Sequence, residues 1–321
     1  VTLLLLITLA IGLDLLLGDP RSLPHPVVFI GRMISFLEKR WNRGTDSQRK
    51  RRGFLLTATV VISVWGVSWS VLALLTAINV WLGLVAELWL LATTLAIKGL
   101  ADAGRAVAVP LANGDLPGAR QALSMIVGRD TVALDEAEIT RATVETVAEN
   151  TVDGITAPLF FAVIGGAPLA LAYKAINTLD SMVGYRNERF EKFGFASAKL
   201  DDIANWLPAR ITACCLWLGG ILLALVANKP LRWRGALRAT CQEALRHPSP
   251  NAGWPEAMVA RLLGVQLGGH NTYQGAISRR ATLGEPLAPL NVTHIGATIQ
   301  LMHVGWLLFM GLMGLLWVGV R

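Results

Sequence analysis

The chain has 321 residues, of which 53% are hydrophobic and only 16% charged, and its mean hydropathy is +0.50. Ordinary soluble domains carry about 25% charged residues, so much of this surface faces something other than water. A net charge of +7 with a pI near 9.7 would suggest nucleic acid in a soluble protein; in a chain this apolar it points to basic loops beside anionic lipid or anionic small molecules, and no nucleic-acid partner is expected.

A bilayer-spanning helix needs about 20 apolar residues. The first apolar stretch, residues 1–17, is short and holds Asp14; without a basic n-region or a small-residue cleavage site it reads as a retained membrane segment. Residues 54–78 form a long clean span, and 81–97 follow at once with Glu87 inside, so the two make a hairpin turning near Asn79. The segment 135–149 has good helix formers and no Gly or Pro, and is expected to be a helix. Residues 155–176 are apolar but interrupted by Pro158, Gly165, Gly166 and Pro168, which predicts a kinked or re-entrant element. Residues 207–227 and 299–320 complete the set. No alternating strand pattern, repeat or linker stands out. The expectation is an all-α, polytopic helical membrane protein: one domain over 1–321, about five spans, one broken segment and helical cytoplasmic insertions.

Arg32, Lys39, Arg40, Arg43, Arg49, Lys50 and Arg51 place the loop before residue 54 in the cytoplasm. The basic stretch 229–280 belongs there too only if 155–176 crosses, and that crossing would put 180–205 outside. Both arrangements stay open. Cys214, Cys215 and Cys241 show no C-x-x-C spacing and read as packing residues.

The polar residues cluster between 128 and 210. Glu145 and Glu149 are four apart and share a helix face, where two like charges repel unless a cation sits between them. Asp201 and Asn205 repeat that spacing beside Asp202. Magnesium commonly takes one or two carboxylates plus phosphate oxygens, so these pairs suit a magnesium–phosphate substrate. An N-terminal group adds Asp19, His25 between two prolines, and Arg32; another stiff polar turn runs from His247 through Asn251 to Trp254. No phosphate-binding G-x-x-x-x-G-K-[ST] loop, H-E-x-x-H or G-x-S-x-G is present.

Taken together, several blocks resemble the CobD/CbiB family: Gly18-Asp19-Pro20 with Pro24-His25-Pro26-Val27 and Ile30-Gly31-Arg32; Gly128-Arg129-Asp130-Thr131; Glu145-Thr146-Val147-Ala148-Glu149-Asn150 with Asp153-Gly154; Asn177 to Tyr185; Leu200 to Asn205 with Pro208-Ala209-Arg210; and Ser249 to Gly253. They occur in family order over almost the whole chain. The resemblance implies adenosylcobinamide-phosphate synthase of cobalamin biosynthesis, a multi-pass enzyme of the bacterial inner membrane. Such an enzyme joins adenosylcobyric acid to aminopropanol phosphate, or a related amino alcohol, through an amide, using ATP and magnesium. Membrane lipid and other late cobalamin-synthesis enzymes are the implied partners.

ATP can convert a carboxylate to an acyl phosphate, which an amine then attacks. Glu145, Glu149, Asp201 and Asp202 are the expected metal ligands and base. Arg129, Lys174, Arg186 and Arg210 are expected to bind phosphates, and Asn150, Asn177 and Asn205 to orient carboxylates or corrin amides. Asp19, His25, Arg32, Asp130, Asp153, Asp180 and Asn251 complete the expected substrate contacts. The alternatives are a non-enzymatic membrane scaffold or corrinoid carrier, and a magnesium-dependent membrane transferase. Against the transferase, Asp201-Asp202-Ile203-Ala204-Asn205 lacks the final acid of D-D-x-x-D, and Pro158 breaks the D-G-x-x-A-R pattern begun by Asp153-Gly154.

Overall fold

A computed structural model describes residues 2–18, 25–273 and 275–320. Asp19 lies outside the described residues. In chain order the helices are α1 (Thr2–Leu17), α2 (Pro26–Trp41), α3 (Asp46–Ile78), α4 (Val80–Ala92), α5 (Ile97–Ala112), α6 (Leu116–Ser124), α7 (Glu136–Thr151), α8 (Ala157–Val183), α9 (Phe195–Ala204), α10 (Trp206–Val226), α11 (Ala236–Glu243) and α12 (Gly253–Leu263). A hairpin of β1 (Leu267–Tyr273) and β2 (Ala276–Leu283) precedes α13 (Thr293–Val320). A π-helical turn, Val152–Thr156, joins α7 to α8.

Among the described residues, five helical stretches are long and apolar enough to cross a membrane: Asp46–Ile78, Val80–Ala112, Glu136–Val183, Trp206–Val226 and Thr293–Gly319. The protein is a multi-pass helical membrane protein. The sequence explains most boundaries. Asp135 caps α7 by accepting from the Glu138 N–H at 2.8 Å, and Glu136 and Glu138 place negative charge at the positive end of the helix dipole. Thr45 and Gln48 form a reciprocal capping box at the start of α3. Asn79 ends α3 and caps α4, so the expected turn of the hairpin is where the sequence put it.

The β-hairpin corrects the expectation that no strand is present. The two strands pair antiparallel, with a bulge between Leu267 and Gly269. Gly268 and Gly269 both have positive φ, a conformation open to glycine, and the strand is polar on both faces. Its buried positions are Leu267, Gly268 and Asn271, so burial leaves no apolar alternation to read.

The chain clusters into two compact units. Unit 1 comprises Val1–Ala96, Asp153–Asn205 and Trp317–Arg321, and unit 2 comprises Ile97–Val152 and Trp206–Leu316. In unit 1, α8 packs on α2, α3, α4 and α9. Its core includes Ile34, Leu56, Val60, Leu179, Val183 and Phe193. A Cβ on Gly53 of α3 would overlap the Phe193 carbonyl oxygen, so glycine is what lets the loop before α9 lie against the helix. Arg189 in that loop grips Glu38 of α2 with contacts of 3.0–3.2 Å, and Asn42 adds a bond at 3.0 Å. Burial would raise the Glu38 carboxyl, but the hydrogen bonds from Arg189 and Asn42 outweigh it and hold it below the usual range. Phe193→Ala should lower stability by about 3–5 kcal/mol. The check is the thermal midpoint in detergent; an unshifted midpoint would remove this loop from the core.

α8 is broken at Gly165 and Gly166, as the sequence suggests. Gly166 has φ 66° and ψ −160°, and Glu87 of α4 points at it: a Cβ there would stand 2.6 Å from Glu87 Oε1.

In unit 2, α7 is buried along most of its length and packs on α5, α6, α12 and β1. Arg261 of α12 clamps Glu243 of α11 and also reaches Glu285 at 2.5 Å. Burial raises the Glu243 carboxyl, but hydrogen bonds from Arg261 and the Gly284 N–H pull it below the usual glutamate range. A depressed acid stabilises the fold above its unfolded value, and the contribution is lost as pH falls through the folded value. Wild-type unfolding midpoints should therefore fall on acidification more steeply than those of Glu243→Gln. Parallel acid limbs would contradict this.

Candidate active site

The four expected acidic ligands fall in different units, Glu145 and Glu149 in unit 2 and Asp201 and Asp202 in unit 1. Each pair is set by its own neighbours.

Glu145 lies on the buried face of α7. Its Oε2 meets Arg129 Nη2 at 2.5 Å, and its Oε1 meets Arg141 Nη1 at 3.2 Å and accepts from the Gly268 N–H at 2.7 Å. Asn271 Oδ1 accepts from Arg129 at 2.8 Å and from Arg141 at 3.1 Å. Arg141 also donates to the Gly268 and His270 carbonyls. The glycine turn of β1 thus brings backbone groups onto an Arg–Glu–Arg centre. Both Glu145 oxygens are engaged by protein groups, and Arg129 bonds Glu145 and Asn271.

Unit 2 holds other expected residues. Asp130 accepts from the Gly275 N–H at 2.9 Å, and its own N–H donates to the Thr272 carbonyl at 2.8 Å, tying the 128–131 loop to the hairpin. Asn150 donates to the Thr146 carbonyl of its own helix at 2.9 Å. Arg210 lies over the rings of Trp206 and Trp254, 4.3 and 4.8 Å from their centroids, and reaches Asn251 at 3.3 Å.

Unit 1 holds a second polar centre. Asp153 sits in the π-helical turn, a local distortion often found at functional sites. Lys174 of α8 donates to the Asp153 carbonyl at 3.4 Å. Beside Lys174, the fully buried Tyr173 donates to Asn205 at 2.9 Å, and Asn205 donates to Asp201 Oδ2 at 3.0 Å. Asp201 Oδ1 is buried with no hydrogen-bond partner. Burial first, then the charges of Asp153, Asp180 and Asp202, push the Asp201 carboxyl well above the usual range; the Asn205 bond opposes them only in part. Asp202 pairs with Lys199 at 2.9 Å. So the structure gathers Asp153, Asp180, Asp201 and Asp202 with Asn205, and it puts Lys174 beside them.

The remaining expected residues are more scattered. His25 caps α2, its Nδ1 accepting from the Val27 N–H at 3.3 Å. Arg32 lies 5.9 Å from the Phe29 ring centroid. Asn177 is half-buried on α8, and Arg186 is exposed in the loop after it.

A buried, charge-coupled carboxylate group in a membrane protein signals function, because such groups are costly to keep. Which function is decided by comparison. The family model described as CobD/Cbib protein matches residues 7–302. The chain belongs to the CobD/CbiB family. It is 50% identical over 309 residues to the cobalamin biosynthesis protein CobD of Halalkalibacterium halodurans, covering 94% of this chain and 93% of that one. It is 47% identical to the cobalamin biosynthesis protein CobD of Klebsiella pneumoniae, over 96% and 94% of the two chains. The cobalamin biosynthesis protein CbiB of Salmonella typhimurium is 47% identical, over 94% and 93%. No solved structure matches.

Magnesium can be tested against these groups. Among the described residues, no three Asp, Glu, His or Cys side chains converge to hold a metal ion. Asp201 Oδ1, however, is an orphaned acceptor in an acidic setting, which suits a cation arriving with phosphate oxygens of its own.

Sequence reasoning missed Arg141, Tyr173, His247 as a central group, Glu256 and Asn271. Arg141 looked like any helix former, and Tyr173 like part of an apolar run. Glu256 follows Trp254-Pro255 directly, and its place just after the stiff turn was the one available signal.

Proposed function

We propose that this CobD/CbiB protein is a carbon–nitrogen ligase of the bacterial inner membrane. It would form an amide between adenosylcobyric acid and aminopropanol phosphate, or a related amino alcohol phosphate, with magnesium–ATP as co-substrate. The observation that carries the reading is the Asp201 centre, four aspartates and Asn205 with Lys174 beside them, in a family whose members act in cobalamin biosynthesis.

Magnesium bound with ATP would neutralise phosphate charge as the carboxylate is activated. Asp201 and Asp202 would hold it, with Asn205 fixing the orientation of Asp201 and Tyr173 fixing that of Asn205. Lys174 supplies a cation near Asp153. Burial that raises the Asp201 carboxyl also favours a proton there, so the ion and the proton compete for the same oxygen.

The test uses detergent-purified full-length protein with magnesium, ATP, adenosylcobyric acid and aminopropanol phosphate, following corrin mass. The expected product has gained one amide, and only when ATP is present. Tight corrinoid binding without product would favour the carrier reading. Asp202→Ala should abolish turnover while the protein still inserts in the membrane; full activity would remove Asp202 from the site.

A further inference from the structure

Unit 2 contains an ionisable pair that the Arg–Glu–Arg centre does not use. Glu256 on α12 and His247 in the turn after α11 face each other, Nε2 to Oε1, at 3.8 Å. Their side chains are only 2% and 6% exposed, and neither of the facing atoms has a hydrogen-bond partner. The distance is too long for a direct bond. His247 Nδ1 stands 3.2 Å from the Ser249 carbonyl, and in the tautomer that donates there Nε2 is a bare acceptor aimed at Glu256.

We propose that the His247–Glu256 pair recognises a primary ammonium group, the amine end of an amino alcohol phosphate. The identity of that amine rests on the ligase reading; the ammonium chemistry rests on the pair. A buried carboxylate needs either a proton or a cation. Here α7 presents Glu145 and Glu149 toward it, β2 presents Arg280 and the 128–131 loop presents Arg129. α10 carries Arg210, held against Trp254; Glu243 of α11 is taken by Arg261; and His270 of β1 is exposed. Burial first, then Glu145 and Glu149, outweigh the two arginines and push the Glu256 carboxyl well above the usual glutamate range. Burial and Arg280 hold His247 below its usual value, so the ring is neutral and does not supply the missing charge. An alkylammonium brings one positive charge and three N–H donors, which is what this carboxylate lacks. Its entry would displace the carboxyl proton. His247 is carried on a short turn, so widening the gap displaces a turn and not a helix.

Isothermal titration calorimetry on the full-length protein in detergent at pH 7 tests this, with aminopropanol phosphate and propanol phosphate as probes. Running each in two buffers of different ionisation enthalpy gives the protons released. The amine probe should bind at least about thirtyfold more tightly than the amine-free one. It should release up to one proton per ligand, with affinity rising with pH. Glu256→Gln should erase both the preference and the release. Wild type without amine preference or without proton release overturns the site, as does a Glu256→Gln protein that keeps both. If Glu256→Gln does not fold, the wild-type proton release still decides. Turnover is read separately: amide formation without this amine preference sinks the site and spares the ligase, and intact amine binding without turnover does the reverse.

Discussion

Replacing Glu145 with alanine should cost unit 2 about 3–5 kcal/mol, because it strands the buried Arg129 guanidinium and takes one of two carboxylates from Arg141. Arg129 and Arg141 have side chains only 7% and 6% exposed; Arg141 keeps Glu138 at 2.5 Å, but Arg129 is left with the neutral Asn271. The loss should appear as a large drop in thermal midpoint and as early proteolysis of the 267–283 hairpin, whose Gly268 N–H is held by Glu145. Replacing all three charged partners by apolar residues of similar volume should recover most of it, since the desolvation cost disappears with the charges. A Glu145→Ala protein as stable as wild type would show that the arginines are solvated.

Asp201→Asn has the opposite profile. Turnover in the proposed ligase reaction should fall by about a thousandfold, the size of a lost acid–base or charge-positioning group. Stability should hold or rise. An acid whose folded value is raised destabilises the fold increasingly as pH climbs from its unfolded value toward the folded one, so the gain from Asp201→Asn should be larger at pH 8 than at pH 5. Thermal midpoints across that range, beside turnover, separate the two roles. Parallel loss of midpoint and activity would make Asp201 part of the scaffold.

Much of this architecture is legible in the sequence because lipid imposes a long, coarse pattern. The spans, the turn at Asn79, the capped helix beginning after Asp135 and the break at Gly165–Gly166 all follow from length, capping chemistry and backbone freedom. Asp201 and Asn205 are legible as a pair because four-residue spacing fixes a helix face. The hairpin is not, since the buried positions of Leu267–Tyr273 are Leu267, Gly268 and Asn271, which give no apolar alternation. Nor is the state of Glu145: spacing shows that Glu149 shares its face, but nothing local shows that Arg129 and Gly268 will fold over it from 16 and 123 residues away. Glu256 is hidden for the same reason, its meaning coming from acids on another helix.

The broken α8 also has a consequence for how the protein is made. A helix interrupted at Gly165–Gly166 releases backbone amides and carbonyls that hydrocarbon cannot solvate. Glu87, which faces the break, lies on α4 and is synthesised well before it. During translation the partner is therefore already in place when the break emerges from the insertion machinery, and the polar gap need never meet acyl chains alone. Reversing that order, as a circular permutation placing α8 ahead of α4 would, turns a quiet feature of the finished protein into an obstacle for membrane insertion.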